Sequence, residues 1–290
     1  MKTVSQTTTP ECVWPVAAEL GEGPLCWNEA VWFVDIKQDR IHRFDPERGS
    51  GTSWAAPTAP GFLAPLGGER FIVGTKAGLL IFTPDSGGFD SLAIVEPNRP
   101  GNRLNDGAVD ARGRLWFGSM DDAEREPTGR LYCFSRDGVK AMDAGYVITN
   151  GPAFSPDGRI FYHTDTLART IHAFDLAEDG EISGKRVFAR IEEGAGYPDG
   201  AVVDADGCLW TGLYGGWAAR RYSPKGELLQ SVPFPVANIT KLALNGTIAY
   251  ATTAWKGLDA AARNSQPLAG GLFRFAVDTP GQAQREVDYG

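Results

Sequence analysis

Three oxygen-bearing side chains stand at matching places in a repeated sequence. They are Glu22, Asn150 and Asp199, and an apolar strand beginning with an aromatic residue follows each of them after 10 or 11 residues. Repeats that close into a ring would bring such positions together on its axis. Two carboxylates and one amide carbonyl are oxygen donors that suit a hard divalent cation, with water at the remaining positions. We predict that these three residues are the ligands of one divalent metal ion.

A fourth copy of the repeat places Asn105 11 residues before Trp116. Arg103 lies two residues earlier, and alternation along an extended segment puts both side chains on one face. A guanidinium and an amide bind hydroxyl and carbonyl oxygens, so we predict that Arg103 and Asn105 contact a substrate. In the same register the second repeat offers only Gly61 and Phe62, and the last repeat offers a position at about Asn238.

A purely conformational interpretation of these positions also exists. Asn-Gly and Asp-Gly pairs form tight turns, which would explain Asn150 and Asp199 without a ligand. Arg103 could equally form an ion pair with a neighbouring repeat, and we expect Asp106 to tie adjacent loops together. Glu22 is not a turn residue, however, and its presence at the same register favours a ligand role for the set.

The chemistry that such a site supports is activation of a substrate or of water by a metal ion. A metal ion with an open coordination position polarises a carbonyl group and lowers the pKa of a bound water. Asp199 is then the best candidate for the general base. The sequence contains no G-x-S-x-G elbow and no H-E-x-x-H zinc motif, and it has three histidines. A serine or cysteine nucleophile and a histidine-rich metal site are therefore disfavoured.

A repeat with a period of 40 to 49 residues must position these side chains. Successive strand centres at residues 33, 73, 117, 162, 211 and 251 are separated by 40, 44, 45, 49 and 40 residues. Each is followed by a second strand that ends on an aromatic residue, and most of these by Pro, Gly or Asp turn signals. This pattern predicts an all-β fold, a six-bladed β-propeller with a central metal site. We expect one domain over residues 1–290, with a flexible N-terminus over residues 1–10, and closure of the ring by residues 12–16 pairing with the last blade.

Composition limits the classes of partner. The chain carries a net charge of −8, which disfavours nucleic acid and anionic membrane surfaces. The N-terminal residues show no apolar signal segment, no run is long enough to span a bilayer, and the four cysteines form no C-x-x-C pair. We therefore expect a cytoplasmic protein with free thiols. The sequence predicts nothing about oligomeric state.

Several collinear motifs resemble the gluconolactonase/regucalcin (senescence marker protein) family. They begin at Gly21 (GEGPL), Arg103 (RLNDG), Thr149 (TNGPAFSPDG), Tyr197 (YPDG) and Ala269 (AGGLF). The resemblance covers nearly the whole chain and is strongest to bacterial sugar-acid lactonases for pentonolactones. It implies a six-bladed propeller with one divalent metal on the axis and hydrolysis of a sugar lactone. It also implies that Glu22, Asn150 and Asp199 bind the metal and that Arg103 and Asn105 bind the substrate.

The resemblance leaves some points open. All-oxygen ligation does not distinguish Ca²⁺, Zn²⁺, Fe²⁺, Mn²⁺ and Mg²⁺. A glutamate that contacts substrate in some family members corresponds by counting to Ala123, so Asp122 or Glu124 could replace it. Alternatives to a pentonolactonase are another hydrolase on the same scaffold, such as a gluconolactonase or an aryl-ester or organophosphate hydrolase, and a non-enzymatic metal-binding propeller.

Overall fold

A computed structural model describes residues 9–289, which form six four-stranded antiparallel sheets arranged as blades around a central axis. The first strands of neighbouring blades contact one another around this axis. The protein is thus an all-β six-bladed β-propeller, as the repeat period predicts. The flexible N-terminus expected over residues 1–10 falls mainly on residues 1–8, which lie outside the described residues.

The strands follow the chain in blade order. Strand β1 is Glu11–Trp14. The first blade contains β2 (Gly21–Trp27), β3 (Ala30–Asp35), β4 (Arg40–Asp45) and β5 (Ser50–Ala55), and the second contains β6 (Phe62–Leu66), β7 (Arg70–Thr75), β8 (Gly78–Thr83) and β9 (Gly88–Ala93). The third contains β10 (Asn102–Val109), β11 (Leu115–Asp121), β12 (Gly129–Ser135) and β13 (Gly138–Tyr146).

The remaining three blades repeat this arrangement. The fourth contains β14 (Thr149–Phe154), β15 (Ile160–Asp165), β16 (Thr170–Leu176) and β17 (Ile182–Arg190). The fifth contains β18 (Tyr197–Val203), β19 (Leu209–Tyr214), β20 (Ala218–Tyr222) and β21 (Leu228–Pro233). The sixth contains β22 (Asn238–Asn245), β23 (Ile248–Ala254) and β24 (Leu272–Ala276), with the short helix α1 (Ala260–Ser265) between the last two strands.

The hydrophobic core is divided among the interfaces between blades. Strand side chains alternate between the two faces of each sheet, so each blade presents one apolar face to the preceding blade and one to the next. A separate apolar cluster lies at each of the six interfaces. Each blade therefore depends on both neighbours, which holds the axial ends of the inner strands in fixed positions.

The ring closes through the N-terminal strand. β1 pairs with β24, with Cys12 opposite Phe273, and becomes the outermost strand of the sixth blade. The Trp14 ring stacks on Phe44 of the first blade at 5.9 Å. This confirms the predicted pairing with the last blade, although the paired strand is Glu11–Trp14 and not residues 12–16.

The C-terminal segment crosses one end of the axis. The Gln282 side chain donates to the Phe154 and Val203 carbonyls, and the Val287 amide donates to the Pro65 carbonyl. Residues 282–285 thereby close a cavity of ≈ 180 Å³ at this end of the ring, together with one segment from each of the six innermost strands. Among residues 9–289, no helix has the length and apolar character needed to cross a membrane.

Candidate functional site

Four of the predicted residues occupy one structural position. In blades one, three, four and five, an aromatic side chain faces the next blade and pairs across the sheet with a residue of the innermost strand. The pairs are Trp32–Leu25, Trp116–Ala108, Tyr162–Ala153 and Trp210–Val202. The residue three positions before each innermost partner is Glu22, Asn105, Asn150 and Asp199. The equivalent aromatic in blade four is Tyr162, which packs towards blade five, and not Phe161, which packs against blade three.

A β-bulge in each of these innermost strands interrupts the pairing at the same place. The register shifts lie between Glu22 and Leu25 in β2 and between Asn150 and Ala153 in β14, and matching shifts occur in β10 and β18. A bulge bends the strand and re-aims its side chains, which is how one end of an otherwise regular sheet can direct a polar group towards the axis.

The other two blades contribute differently. In blade two the equivalent position is Gly61, where an added Cβ would lie 2.4 Å from the backbone oxygen of Asn105. In blade six it is Thr240, whose hydroxyl donates to the Gly21 carbonyl. The expected position at about Asn238 was therefore wrong by two residues. The Asn238 side chain instead donates to the Lys256 carbonyl and accepts from the Gly215 amide.

All five predicted residues line one cavity of ≈ 250 Å³, here called the axial cavity. Its other lining residues are Leu20, Met120, Glu124, Ile148, Thr166, Leu167, Tyr197, Tyr214 and Lys256. Arg103, Asn105 and the three predicted metal ligands are each at most 5% exposed. The cavity is thus polar at its base and apolar along much of its wall.

Two buried carboxyl groups meet at the base of the axial cavity. The Glu22 and Asp199 side chains lie within hydrogen-bonding contact, and neither forms an ion pair within residues 9–289. Burial raises the pKa of Glu22 to about 8, and the charge of Asp106 adds to this effect. Burial, followed by the charges of Glu22 and Asp106, raises the pKa of Asp199 well above its ordinary value.

This pair fits a divalent cation. Two adjacent buried carboxylates without a cationic partner are costly unless they share a proton or bind a positive ion. No group of three or more His, Cys, Asp or Glu side chains suited to a metal occurs in the described part of the chain. A metal here would take Glu22 and Asp199 with an amide oxygen as third donor, and this set is compatible with hard cations.

Hydrogen bonds from neighbouring residues orient the third donor. The Asn150 side-chain amide nitrogen donates to the Thr166 hydroxyl at 3.0 Å, so the Asn150 side-chain oxygen points towards Asn105. Asn105 Nδ2 donates to that oxygen at 2.9 Å and to the Thr149 carbonyl at 2.6 Å. Both amide hydrogens of Asn105 are therefore used within the protein, and the residue can offer a ligand only its remaining acceptor capacity.

Arg103 is fixed on two sides. Its Nε donates to Asp122 at 3.1 Å and its Nη1 donates to Asn105 Oδ1 at 2.5 Å. Nη2 has no hydrogen-bond partner within residues 9–289. Although burial opposes ionisation of Asp122, the hydrogen bond from Lys37 and the charge of Arg103 outweigh it and lower its pKa to about 2. The guanidinium is thus held in one orientation with one nitrogen free to donate.

Asp106 connects three blades behind the cavity. Its carboxylate accepts from the Gly107 amide, from the Gly151 amide of blade four and from Lys241 Nζ of blade six, the last at 2.6 Å. Asp106 and Lys241 form an almost fully buried ion pair. This agrees with the expectation that Asp106 ties adjacent loops, and it adds Lys241, which sequence reasoning missed. A single charged residue within this innermost strand was the available signal.

Three polar residues on the wall of the cavity extend the predicted set. Glu124 lines the cavity and Asp122 does not, so Glu124 is the one of these two candidates that faces it. Glu124 also forms an ion pair with Lys256, which lines the cavity as well. The Tyr214 hydroxyl donates to the Lys256 carbonyl at 2.5 Å. Burial and the nearby charge of Asp199 raise the pKa of Tyr214, so its hydroxyl stays protonated. Neither Lys256 nor Tyr214 follows the repeat, which is why the sequence pattern did not reveal them.

Comparison with known proteins gives consistent matches over most of the chain. The sequence profile of the family described as SMP-30/Gluconolactonase/LRE-like region matches residues 20–255. Regucalcin from Oryctolagus cuniculus is 35% identical over 282 residues, covering 91% of this chain and 93% of that protein. L-arabinolactonase from Azospirillum brasilense is 35% identical over 263 residues, covering 88% and 87%.

A solved structure shows the same architecture. The calcium-binding protein regucalcin from Agrobacterium tumefaciens superimposes with a TM-score of 0.93 at 26% identity and covers 97% of each chain. The propeller and its blade order are therefore shared with proteins whose names describe both lactone chemistry and calcium binding.

Proposed function

Because the chain belongs to the SMP-30/gluconolactonase/LRE-like family, we propose that it is a metal-dependent lactonase that opens a sugar-acid lactone to the aldonic acid. The observation that carries the proposal is the pair of buried carboxyl groups, Glu22 and Asp199, which has no cationic partner in residues 9–289 and shares one cavity with Arg103. The resemblance to pentonolactone hydrolases and the L-arabinolactonase relative support xylono- or arabinonolactone as the substrate.

Glu22, Asn150 and Asp199 would hold one divalent cation. When bound, it would supply positive charge that favours both carboxylates in their ionised form and polarises a lactone carbonyl. The Asn105 amide supports this arrangement, because its hydrogen bond to Asn150 Oδ1 fixes the direction of that oxygen.

The protein's own residues then have separate tasks. Arg103 Nη2 is positioned to donate to a ring hydroxyl or carbonyl oxygen, since Asp122 and Asn105 hold the rest of the guanidinium. Asp199 takes a proton from the attacking water as general base. Leu20, Met120 and Ile148 line the wall of the same cavity and reduce the access of bulk water.

The test is lactone hydrolysis in a pH-stat with metal-stripped protein and each divalent ion added back. The substrates are D-xylono-, L-arabinono- and D-glucono-lactone, with a phosphotriester and an aryl ester as controls. We expect turnover only after a cation is restored and faster turnover on a pentonolactone. Higher activity on the phosphotriester or aryl ester would assign another hydrolase activity to the same scaffold.

A second function has one observation in its favour. The structural relative from Agrobacterium tumefaciens is described as a calcium-binding protein. Tight binding of a divalent ion by calorimetry, without turnover of any lactone or ester, would favour a non-enzymatic metal-binding propeller over the lactonase.

A further inference from the structure

A buried indole in the fifth blade is paired with both an acid and a base. Trp210 Nε1 donates to Asp204 Oδ2 at 3.1 Å, and Arg221 Nε donates to the same oxygen at 2.8 Å. The guanidinium carbon of Arg221 lies 5.9 Å from the centre of the Trp210 ring. One carboxylate thus satisfies an indole N–H and a guanidinium that rests on that indole.

The third blade repeats the arrangement. Trp116 Nε1 donates to Asp110 Oδ2 at 3.0 Å, and Arg114 Nε donates to the same atom at 2.6 Å. Arg114 again lies over the indole, at 6.0 Å from the ring centre. In both blades the aspartate stands two residues after the cross-strand partner of the tryptophan.

The first blade has the tryptophan and the arginine without the carboxylate. Arg43 lies 5.8 Å from the Trp32 ring centre and pairs across the sheet with Trp32, as Arg221 does with Trp210. The position two residues after Leu25, the partner of Trp32, is occupied by Trp27. A neutral aromatic side chain therefore stands where the other two blades have an aspartate.

This substitution leaves two donors unused. Trp32 is 6% exposed, and its Nε1 is buried with no hydrogen-bond partner in the described residues. The Arg43 guanidinium has no hydrogen bond or ion pair within residues 9–289. A buried indole N–H without an acceptor is rare and costs stability, so each such group calls for an explanation.

Both residues line a cavity of ≈ 300 Å³ between blades one and two, here called the Trp32 cavity. Its other walls include the rings of Trp27 and Trp54 and the carboxylates of Glu69 and Asp85. Trp54 stacks on Trp32 at 5.5 Å, and its own Nε1 donates to the Pro84 carbonyl. The Trp32 cavity and the axial cavity share no lining residue.

We propose that the Trp32 cavity binds a small hydroxylated carboxylate, whose carboxylate group accepts the hydrogen bonds that the aspartate accepts in blades three and five. It would accept from Trp32 Nε1 and from the Arg43 guanidinium, and the charge-assisted bond to Arg43 would give most of the affinity. The tryptophan rings pack against the carbon chain, and the hydroxyl groups donate to Glu69 and Asp85. Sugar-acid anions have this chemistry.

The test follows the indole N–H signals of the eight tryptophans in ¹H–¹⁵N spectra of the full-length, metal-loaded protein. Sodium D-gluconate, sodium acetate and xylitol are added in separate titrations, and the Trp32 signal is assigned with a Trp32→Phe variant. We expect gluconate to shift Trp32 saturably in the direction of a new hydrogen bond, acetate to do so more weakly, and xylitol to leave it unchanged. Trp116 and Trp210 are internal controls, because their N–H groups already have carboxylate acceptors.

Two variants sharpen the result. Arg43→Met is expected to weaken gluconate binding about tenfold or more, since it removes a charged donor. Trp27→Asp would install the missing carboxylate and is expected to abolish gluconate binding and to shift Trp32 in the ligand-free protein. Arg48→Met, on an exposed side chain, is the matched control.

Three outcomes would overturn the proposal. The first is a Trp32 indole signal that shifts only when the Trp116 and Trp210 signals shift as well. The second is a Trp32 shift of equal size with xylitol and with gluconate. The third is an unchanged affinity for gluconate in a folded Arg43→Met variant. No tryptophan lines the axial cavity, so binding of gluconate there would not produce the expected signal.

Discussion

The polar side chains at the base of the axial cavity are held by residues from other blades. Glu22 of blade one contacts Asp199 of blade five, and Asn105 of blade three donates to Asn150 of blade four. A contact of this kind fixes a side chain only while the blades keep their relative positions. Substitutions here should therefore change chemistry and metal affinity more than they change the local strand.

Replacing Asp199 with asparagine tests its role as general base. The variant keeps an oxygen donor but loses the proton acceptor, so we expect turnover to fall by about 10²–10⁴-fold at saturating metal. The measurement is the initial rate of lactone opening in the pH-stat, with bound metal determined in parallel. Asp206→Asn, on an exposed side chain, serves as the control. Turnover close to that of the unmodified protein with metal bound would assign the base elsewhere.

Replacing Arg103 with alanine tests substrate binding. Loss of the free Nη2 donor should raise KM and lower kcat/KM about tenfold or more. Asp122 keeps Lys37 and Lys76 as partners in this variant, so the cavity wall should stay folded. Thermal unfolding checks this point, and Arg48→Ala is the control. Unchanged KM and kcat would show that Arg103 only forms ion pairs.

The sequence predicted the strands well because two sequence signals recur together in each blade. An apolar strand centre and an aromatic end of the following strand recur with turn residues between them, and the sheets follow that pattern. The register was harder to predict. In blade four Phe161 and Tyr162 are adjacent aromatics, and only their packing against different blades shows which one matches Trp116.

Two of the side chains that the sequence missed, Tyr214 and Lys256, have a common cause. Tyr214 and Lys256 lie at or beyond the ends of strands, where no period constrains the chain, and their approach to the cavity depends on how two blades pack. The position in blade six was assigned to about Asn238, whereas the pairing of Tyr250 with Ala243 makes Thr240 the equivalent residue.

Strand β1 allows a test of how much one element contributes to the ring. A variant lacking residues 1–18 loses the pairing with β24 and the packing of Trp14 on Phe33 and Phe44. We expect about 3–5 kcal/mol less stability and a broader unfolding transition, since a buried aromatic and a closing strand are removed together. Calorimetry on this variant and on one lacking only residues 1–8 gives the comparison. Equal transitions in the two variants would mean that β1 is dispensable.

The buried titratable groups predict how the stability of the protein depends on pH. Burial lowers the pKa of His42 to about 4 and of His163 to about 3. Between those pKa values and pH 6.5, the unfolded chain binds more protons at these histidines than the folded protein does. The histidines therefore make the free energy of unfolding rise with pH up to about pH 6.5. Glu22 acts in the opposite direction, because its folded pKa of about 8 lies above its ordinary value of 4.5.

In metal-free protein the contacting carboxyl groups of Glu22 and Asp199, whose pKa values are both raised, should dominate the pH dependence between pH 6.5 and 8. The folded state keeps a proton on Glu22 that the unfolded state has lost, so the free energy of unfolding should fall by about 2 kcal/mol over that interval. Urea unfolding with a chelator present measures it. Glu22→Gln should make the decline smaller, since Asp199 remains buried, and a saturating divalent cation should reverse it. A flat profile in the unmodified protein would contradict the raised pKa.

Pairing the first strand of the chain with the last one has a consequence for biosynthesis. A ribosome makes β1 before the other strands of the propeller and β24 after all of them, so the sixth blade cannot gain its outermost strand until the last strand of the ring has been synthesised. Until then the nascent chain has an unclosed arc with an exposed apolar face at each end. Premature termination or slow synthesis of the last blade should therefore yield a chaperone-dependent, aggregation-prone species rather than a smaller working protein.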